Sequence, residues 1–139
     1  MIAVTEHIAH IHTEGKTHSI HIEQQITGGF QGGEETIVVD GLRRPLVHPI
    51  FGSITESASW SDLSDIDDEW LREGWRNSTE EPDGKLHLNV TVVNESLGWE
   101  LNVIWGFILI DGKRYHCRRM SCRKGDQFEK VRCIYRWVD

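Results

Sequence analysis

Cysteine is scarce in this chain, and what there is forms no pattern: Cys117, Cys122 and Cys133 are an odd number without a Cys-x-x-Cys spacing. That excludes a zinc ribbon and a disulfide-stapled scaffold, and reduced, mostly buried thiols of a cytoplasmic protein are expected. Only Cys117 and Cys133 could meet across neighbouring strands. Long apolar runs are missing too. No stretch approaches the roughly 18 residues that cross a bilayer, so no membrane partner is expected. The segment Met1-Ile-Ala-Val-Thr-Glu-His7 has neither a basic start nor an apolar stretch, which predicts no signal peptide. The sequons at Asn77, Asn89 and Asn94 then read as chance occurrences.

Catalytic signatures are equally sparse. There is no Gly-x-Ser-x-Gly elbow, no Ser-His-Asp or Cys-His arrangement and no dinucleotide fingerprint. The glycine-rich stretch Gly28-Gly-Phe-Gln-Gly-Gly33 is followed by neither Lys-Ser nor Lys-Thr, and no helix opens after it. It is therefore no phosphate loop, and a connection or lid at a barrel mouth is expected instead. Covalent hydrolysis and cofactor-dependent redox chemistry lack support, and no cofactor is expected.

Net charge is −7, unevenly spread: nine of the fifteen lysines and arginines lie between Lys113 and Arg136, and the acidic residues cluster between Glu56 and Asp83. A basic stripe can mean nucleic acid. Here the chain is acidic overall and has no aromatic–basic recognition motif, so the stripe reads as the outward side of strands and no nucleic-acid partner is expected.

What the sequence does have is period-two alternation. In Trp99-Glu-Leu-Asn-Val-Ile-Trp-Gly-Phe-Ile-Leu109 every odd position is large and apolar, which only a strand gathers on one face. Leu86, Leu88, Val90 and Val92 alternate likewise, as do Val131, Cys133, Tyr135 and Trp137. Three or four antiparallel strands follow from Lys85 to Val138, with a hairpin turn in Ile110-Asp-Gly-Lys113. Upstream, Ile2 to Ile26 reads as a hairpin turning at Glu14-Gly-Lys16, and Thr36 to Val39 and Ile54 to Trp60 as short strands. Ser64 to Gly74 carries the one good helix signal, two to three turns with Ser64 as cap and acidic residues in the first turn. About eight strands with one short helix and no βαβ rhythm predict an all-β fold, an antiparallel meander closed into a barrel. At 139 residues a single domain, 1–139, is expected.

Such a barrel can enclose an apolar small molecule, and Trp60, Trp99, Trp105, Phe107, Tyr115 and Tyr135 are the candidate binding residues. Candidate acid–base or charge-stabilising groups are His21, Glu23, Glu100, Asn102 and Arg118. Glu100, Asn102 and His116 face away from the odd-numbered apolar positions around them, which predicts water on that side. Arg118-Arg-Met120 breaks the alternation, because Tyr115 and Cys117 are odd while Met120 and Cys122 are even. Either a β-bulge restores the inward face and aims Arg118 or Arg119 at the cavity, or a strand ends near Arg119. His10-Ile-His12 could hold a metal, as in cupin-like chemistry, but the downstream ligands do not match, and an exposed histidine-rich edge strand is the preferred reading, with no metal.

The stretches His48-Pro-Ile-Phe-Gly52, Trp99 to Phe107, and Asp111-Gly-Lys-Arg114 with Arg118-Arg119 resemble small lipocalin-like proteins of filamentous fungi. The resemblance covers about the C-terminal two thirds, and the lipocalin Gly-x-Trp near the first strand is missing. It implies a calycin-type barrel from secondary metabolism, acting as a cofactor-free cyclase, isomerase or dehydratase on a polyketide- or terpene-derived intermediate. A non-catalytic carrier of an apolar ligand would need the same cavity without the polar groups. Six tryptophans suit such a cavity and equally a homodimer interface.

Overall fold

A computed structural model describes residues 4–11, 18–26, 30–75 and 86–138. Nine antiparallel strands and one short α-helix make up the described chain: β1 Val4–Ile11, β2 His18–Ile26, β3 Phe30–Val39, β4 Arg44–His48, β5 Gly52–Asp62, α1 Glu69–Arg72, β6 Leu86–Asn94, β7 Trp99–Ile110, β8 Lys113–Lys124 and β9 Gln127–Tyr135. The all-β class, the antiparallel pairing of consecutive strands and the single short helix are those the sequence predicts. Among the described residues no helix is long and apolar enough to cross a membrane. The chain divides into two compact units, Met1–Leu42 and Arg43–Asp139.

In the first unit β2 pairs with β1 on one side and β3 on the other. Ile20, Ile22, Ile37 and Val39 alternate along β2 and β3 and are buried. The expected glycine loop is corrected in its second half: residues 30–33 belong to β3. The register shifts between Glu23 and Gln25, and a Cβ on Gly32 would stand 2.8 Å from both the Cβ and the carbonyl oxygen of Gln24. The glycine is there so that two backbones can meet at a bulge. Gly28, Gly29, the predicted turn at 14–16 and the loop at 77–84 lie outside the described residues.

In the second unit the strands pair in the order β4-β5-β6-β7-β8-β9. Asp111 and Gly112 both have positive φ, 50° and 77°, the signature of the two-residue type I′ turn whose twist suits a hairpin. That turn fixes Ile110 opposite Lys113, and the ladder runs without a shift to Trp99 opposite Lys124. No bulge therefore interrupts β8 at Arg118-Arg119-Met120, nor does the strand end there. The β8–β9 register is equally continuous. The alternation breaks because β8 buries both of its faces, so polar and apolar residues occur on each.

The helix is shorter than predicted. Asp62 caps a 3-10 turn at Leu63–Asp65, accepting from the Ser64 amide, and Asp68 caps the single turn of α1, accepting from the Leu71 amide at 3.2 Å. Two acidic residues thus take up the amide groups that Ser64 alone was expected to cap. Leu71 and Ile66 pack with Ile104 of β7, bordered by Leu63, Trp70 and Trp75. All three cysteines are free thiols. Cys117 sits opposite Ile134 whereas Cys133 sits opposite Arg118, so their side chains leave opposite faces of the sheet and cannot bridge.

Candidate functional site

Register arithmetic assembles the candidate site. Across β5 to β9 the residues Trp60, Leu88, Trp105, Arg118 and Cys133 stand opposite one another in one row, and Ala58, Val90, Val103, Met120 and Val131 form a parallel row two residues along. Ala58, Leu88, Val90, Val92 and Val103 are buried and make an apolar floor. Onto that floor the sequence sets Arg118, itself only 8% exposed.

The guanidinium of Arg118 lies 3.8 Å from the centre of the Trp105 ring and 4.5 Å from that of Tyr135. Such a stack compensates part of the desolvation of a buried cation through the ring quadrupoles. Its Nε donates to His116 Nε2 at 3.1 Å. Arginine has no acceptor to offer, so that imidazole nitrogen carries the lone pair. The hydrogen must then sit on Nδ1, which donates to the Gly106 carbonyl at 3.0 Å. His116 is thereby held neutral, in one tautomer, as a strut between backbone and guanidinium. Trp105, Phe107 and Tyr135 surround its ring at centroid distances of 5.4–5.6 Å, and Arg114 lies over Phe107 at 3.8 Å. This is a rigid planar hydrogen-bond donor in an aromatic frame. It can polarise a carbonyl or stabilise an oxyanion, but arginine does not give up its proton near neutral pH.

The same face carries a second polar station. Glu56, 9% exposed, stands opposite Arg44. Near that end His48 stacks on Phe51 at 4.5 Å, Phe51 meets Trp99 edge-on at 5.3 Å, and Asn94 donates to the Phe51 carbonyl. Trp99 is six residues from Trp105 along β7, about 20 Å, so it belongs to this end and not to the Arg118 cluster.

Of the residues singled out from sequence, Arg118, Trp60, Trp105, Phe107 and Tyr135 share one face and one end of it. Glu100, Asn102 and Tyr115 leave the opposite face. Glu100 is 3.8 Å from Arg123, Asn102 accepts from the Thr91 hydroxyl at 3.1 Å, and Tyr115 stands opposite Ile108. That opposite face is covered near its middle by α1 and the following turn. There Arg119, also buried, lies 4.2 Å over Trp70, its Nε without a hydrogen-bond partner. A Cβ on Gly106 would fall 2.5 Å from His87 and 2.8 Å from Trp75. Burial raises the Cys117 thiol above its ordinary 9.0, against the lowering pull of Arg132 and Arg119.

His21 and Glu23 belong to the first unit. His21 Nε2 is 3.0 Å from Glu34 and 3.4 Å from Glu23, and its Nδ1 is 2.9 Å from the Thr36 hydroxyl. His10 meets His18 edge-on at 5.2 Å, and His12 lies outside the described residues. Sequence reasoning passed over Glu56 and turned His116 to the wrong side. His116 is half-buried rather than turned to water. The Asp-Gly turn was the signal that could have found it: a two-residue loop pairs 110 with 113, so odd positions of β7 share a face with even positions of β8.

No family model matches the chain, and no solved structure does. Two curated proteins are similar to it. The probable pericyclase scpY of Mollisia scopiformis is 28% identical over 112 residues, covering 79% of this chain and 57% of the relative. The pericyclase pydY of an Acremonium species is 27% identical over 114 residues, covering 79% and 58%. The chain thus matches less than two thirds of the length of either relative.

Proposed function

We propose that this chain is a cofactor-independent cyclase of secondary metabolism that promotes a pericyclic ring closure in an apolar intermediate. The observation that carries the reading is Arg118, buried on an apolar strand face between Trp105 and Tyr135 and braced by His116, in a chain similar to two proteins named pericyclases.

A pericyclic closure redistributes electrons within the substrate, with no proton transferred and no group leaving. The demands on the protein are therefore shape and polarity. The Leu88–Val103 floor and the rings of Trp60, Trp105 and Phe107 would fold a flexible chain so that its reacting termini approach, an effect worth up to about 7–11 kcal/mol when alignment is good. Arg118 would hydrogen-bond a carbonyl conjugated to the reacting system and stabilise the charge gathered there in the transition state, about 3–4 kcal/mol for one well-placed donor. The substrate class is a mostly apolar chain bearing one conjugated carbonyl. The cytoplasm is its proposed location.

The test is to incubate the purified chain with the acyclic precursors of the two relatives and follow cyclised product by chiral chromatography with mass detection. Acceleration over the uncatalysed background with one stereoisomer dominant supports the reading. Tight binding of precursor with no acceleration turns the chain into a carrier and removes the catalytic claim.

A further inference from the structure

In the first unit, side chains of β2 and β3 place three potential metal ligands together, a half-buried imidazole and two exposed carboxylates. We infer that His21, Glu23 and Glu34 form a divalent-cation site, with zinc as the ion their chemistry suits best. Their ligand atoms all lie within 4.8 Å of one another. Ligands about 2.1 Å from a tetrahedral zinc stand roughly 3.4 Å apart. The imidazole Nε2 is 3.4 Å from Glu23 and 3.0 Å from Glu34, so both separations already approximate edges of that tetrahedron.

Three further features agree. Glu23 and Glu34 are direct cross-strand partners, and like charges so placed destabilise a sheet unless a cation lies between them. The other imidazole nitrogen, Nδ1, is 2.9 Å from the Thr36 hydroxyl. That contact fixes the ring as outer-shell partners do at metal sites and leaves Nε2 aimed at both carboxylates. The bulge at Gly32 then falls immediately beside Glu34, where a bulge can re-aim the strand's side chains. On β1, His7 stands opposite Glu23 on the same face, one strand from the three ligands and within reach of a rotamer change as a fourth. Water would otherwise fill the fourth position.

Zinc prefers this set because it takes imidazole together with carboxylate and accepts four ligands, whereas magnesium demands six oxygens. The ion would clamp β2 to β3. A protonated His21 forming a simple ion triad is the competing account, and the two differ in what is bound.

Calorimetric titration of chelator-treated, untagged chain with zinc chloride, and with magnesium chloride in parallel, decides between them. One equivalent of zinc, a raised melting temperature and no magnesium binding are expected. His21→Gln and Glu34→Gln should each weaken zinc at least tenfold and remove the thermal shift, Thr36→Val should weaken it about tenfold, and His10→Gln/His48→Gln should leave it unchanged. Glu23→Gln/Glu34→Gln keeps the imidazole and serves if the His21 variant folds poorly. No zinc binding by the wild type, or equal binding by the ligand variants, overturns the site and leaves the imidazolium triad.

Discussion

Arg118 and Arg119 are neighbours in sequence, both nearly buried and both stacked on a tryptophan, yet they occupy opposite faces of the sheet. Arg118 lies over Trp105 with His116 and Tyr135 around it, and Arg119 lies over Trp70 beside α1. One residue of strand is half a period, so a single backbone step carries the second arginine from the proposed binding surface to a packing surface. Burial of a cation therefore does not by itself separate the two arginines. The company each keeps does: a hydrogen-bonded strut and an apolar floor in one case, a helix cover in the other.

The largest expected effect sharpens that contrast. Arg118→Met should lower the cyclisation rate about 100- to 1,000-fold with the far-ultraviolet dichroism unchanged. Arg119→Met should leave the rate within about threefold and act on stability alone. Equal losses from both would dissolve the distinction between the faces.

Gly106 is the next place to press, because it serves both sides. Its carbonyl accepts from His116, while its missing Cβ leaves room for Trp75 and His87. Gly106→Ala should cost about 1–3 kcal/mol by overpacking, read as a shifted urea midpoint. His116→Phe keeps a ring but removes the acceptor for Arg118, and about a tenfold loss of rate is expected at near-native stability. His116→Gln should recover part of it by restoring an acceptor. An unchanged rate in His116→Phe would mean that Arg118 holds its pose without the strut.

On the covered face two smaller effects are expected. Asp68→Ala removes the α1 cap and should cost about 0.5–1 kcal/mol without touching the rate. Cys117 should resist alkylation in the native chain while half-exposed Cys122 and Cys133 react. Because its folded-state value is raised, the folded chain holds the thiol proton more tightly than the unfolded one. Its contribution to stability is therefore full below pH 9.0 and falls as pH climbs above it. Serine at 117 should flatten that alkaline decline.

Much of this was legible beforehand because period two is a strong signal where one face is apolar. The strands β6, β7 and β9 follow directly from their alternation. The line was lost in β8, whose two buried faces both mix arginine with apolar residues, so alternation alone could not say which side each belonged to. The two-residue turn that precedes β8 held the answer through register. Helix α1 is shorter than predicted because its acidic residues satisfy two separate caps, and the second half of the glycine stretch is strand because a bulge needs small residues just as a loop does. Glu56 left no trace in the sequence, since a carboxylate in a Ser- and Thr-rich strand looks like any solvated one.

The adjacent arginines also bear on how such a site tolerates insertion and deletion. Adding one residue to the Asp111-Gly112 hairpin would slide β8 by a step and present either Arg119 or Cys117 opposite Trp105. When Arg119 arrives, Cys117 takes the place of His116, so the site keeps its positive charge and loses the brace that aims it. Under the proposed function, a lineage would cross such a length change with an unaimed guanidinium and a weakened activity, and regain aim by acquiring an acceptor two residues before the new arginine.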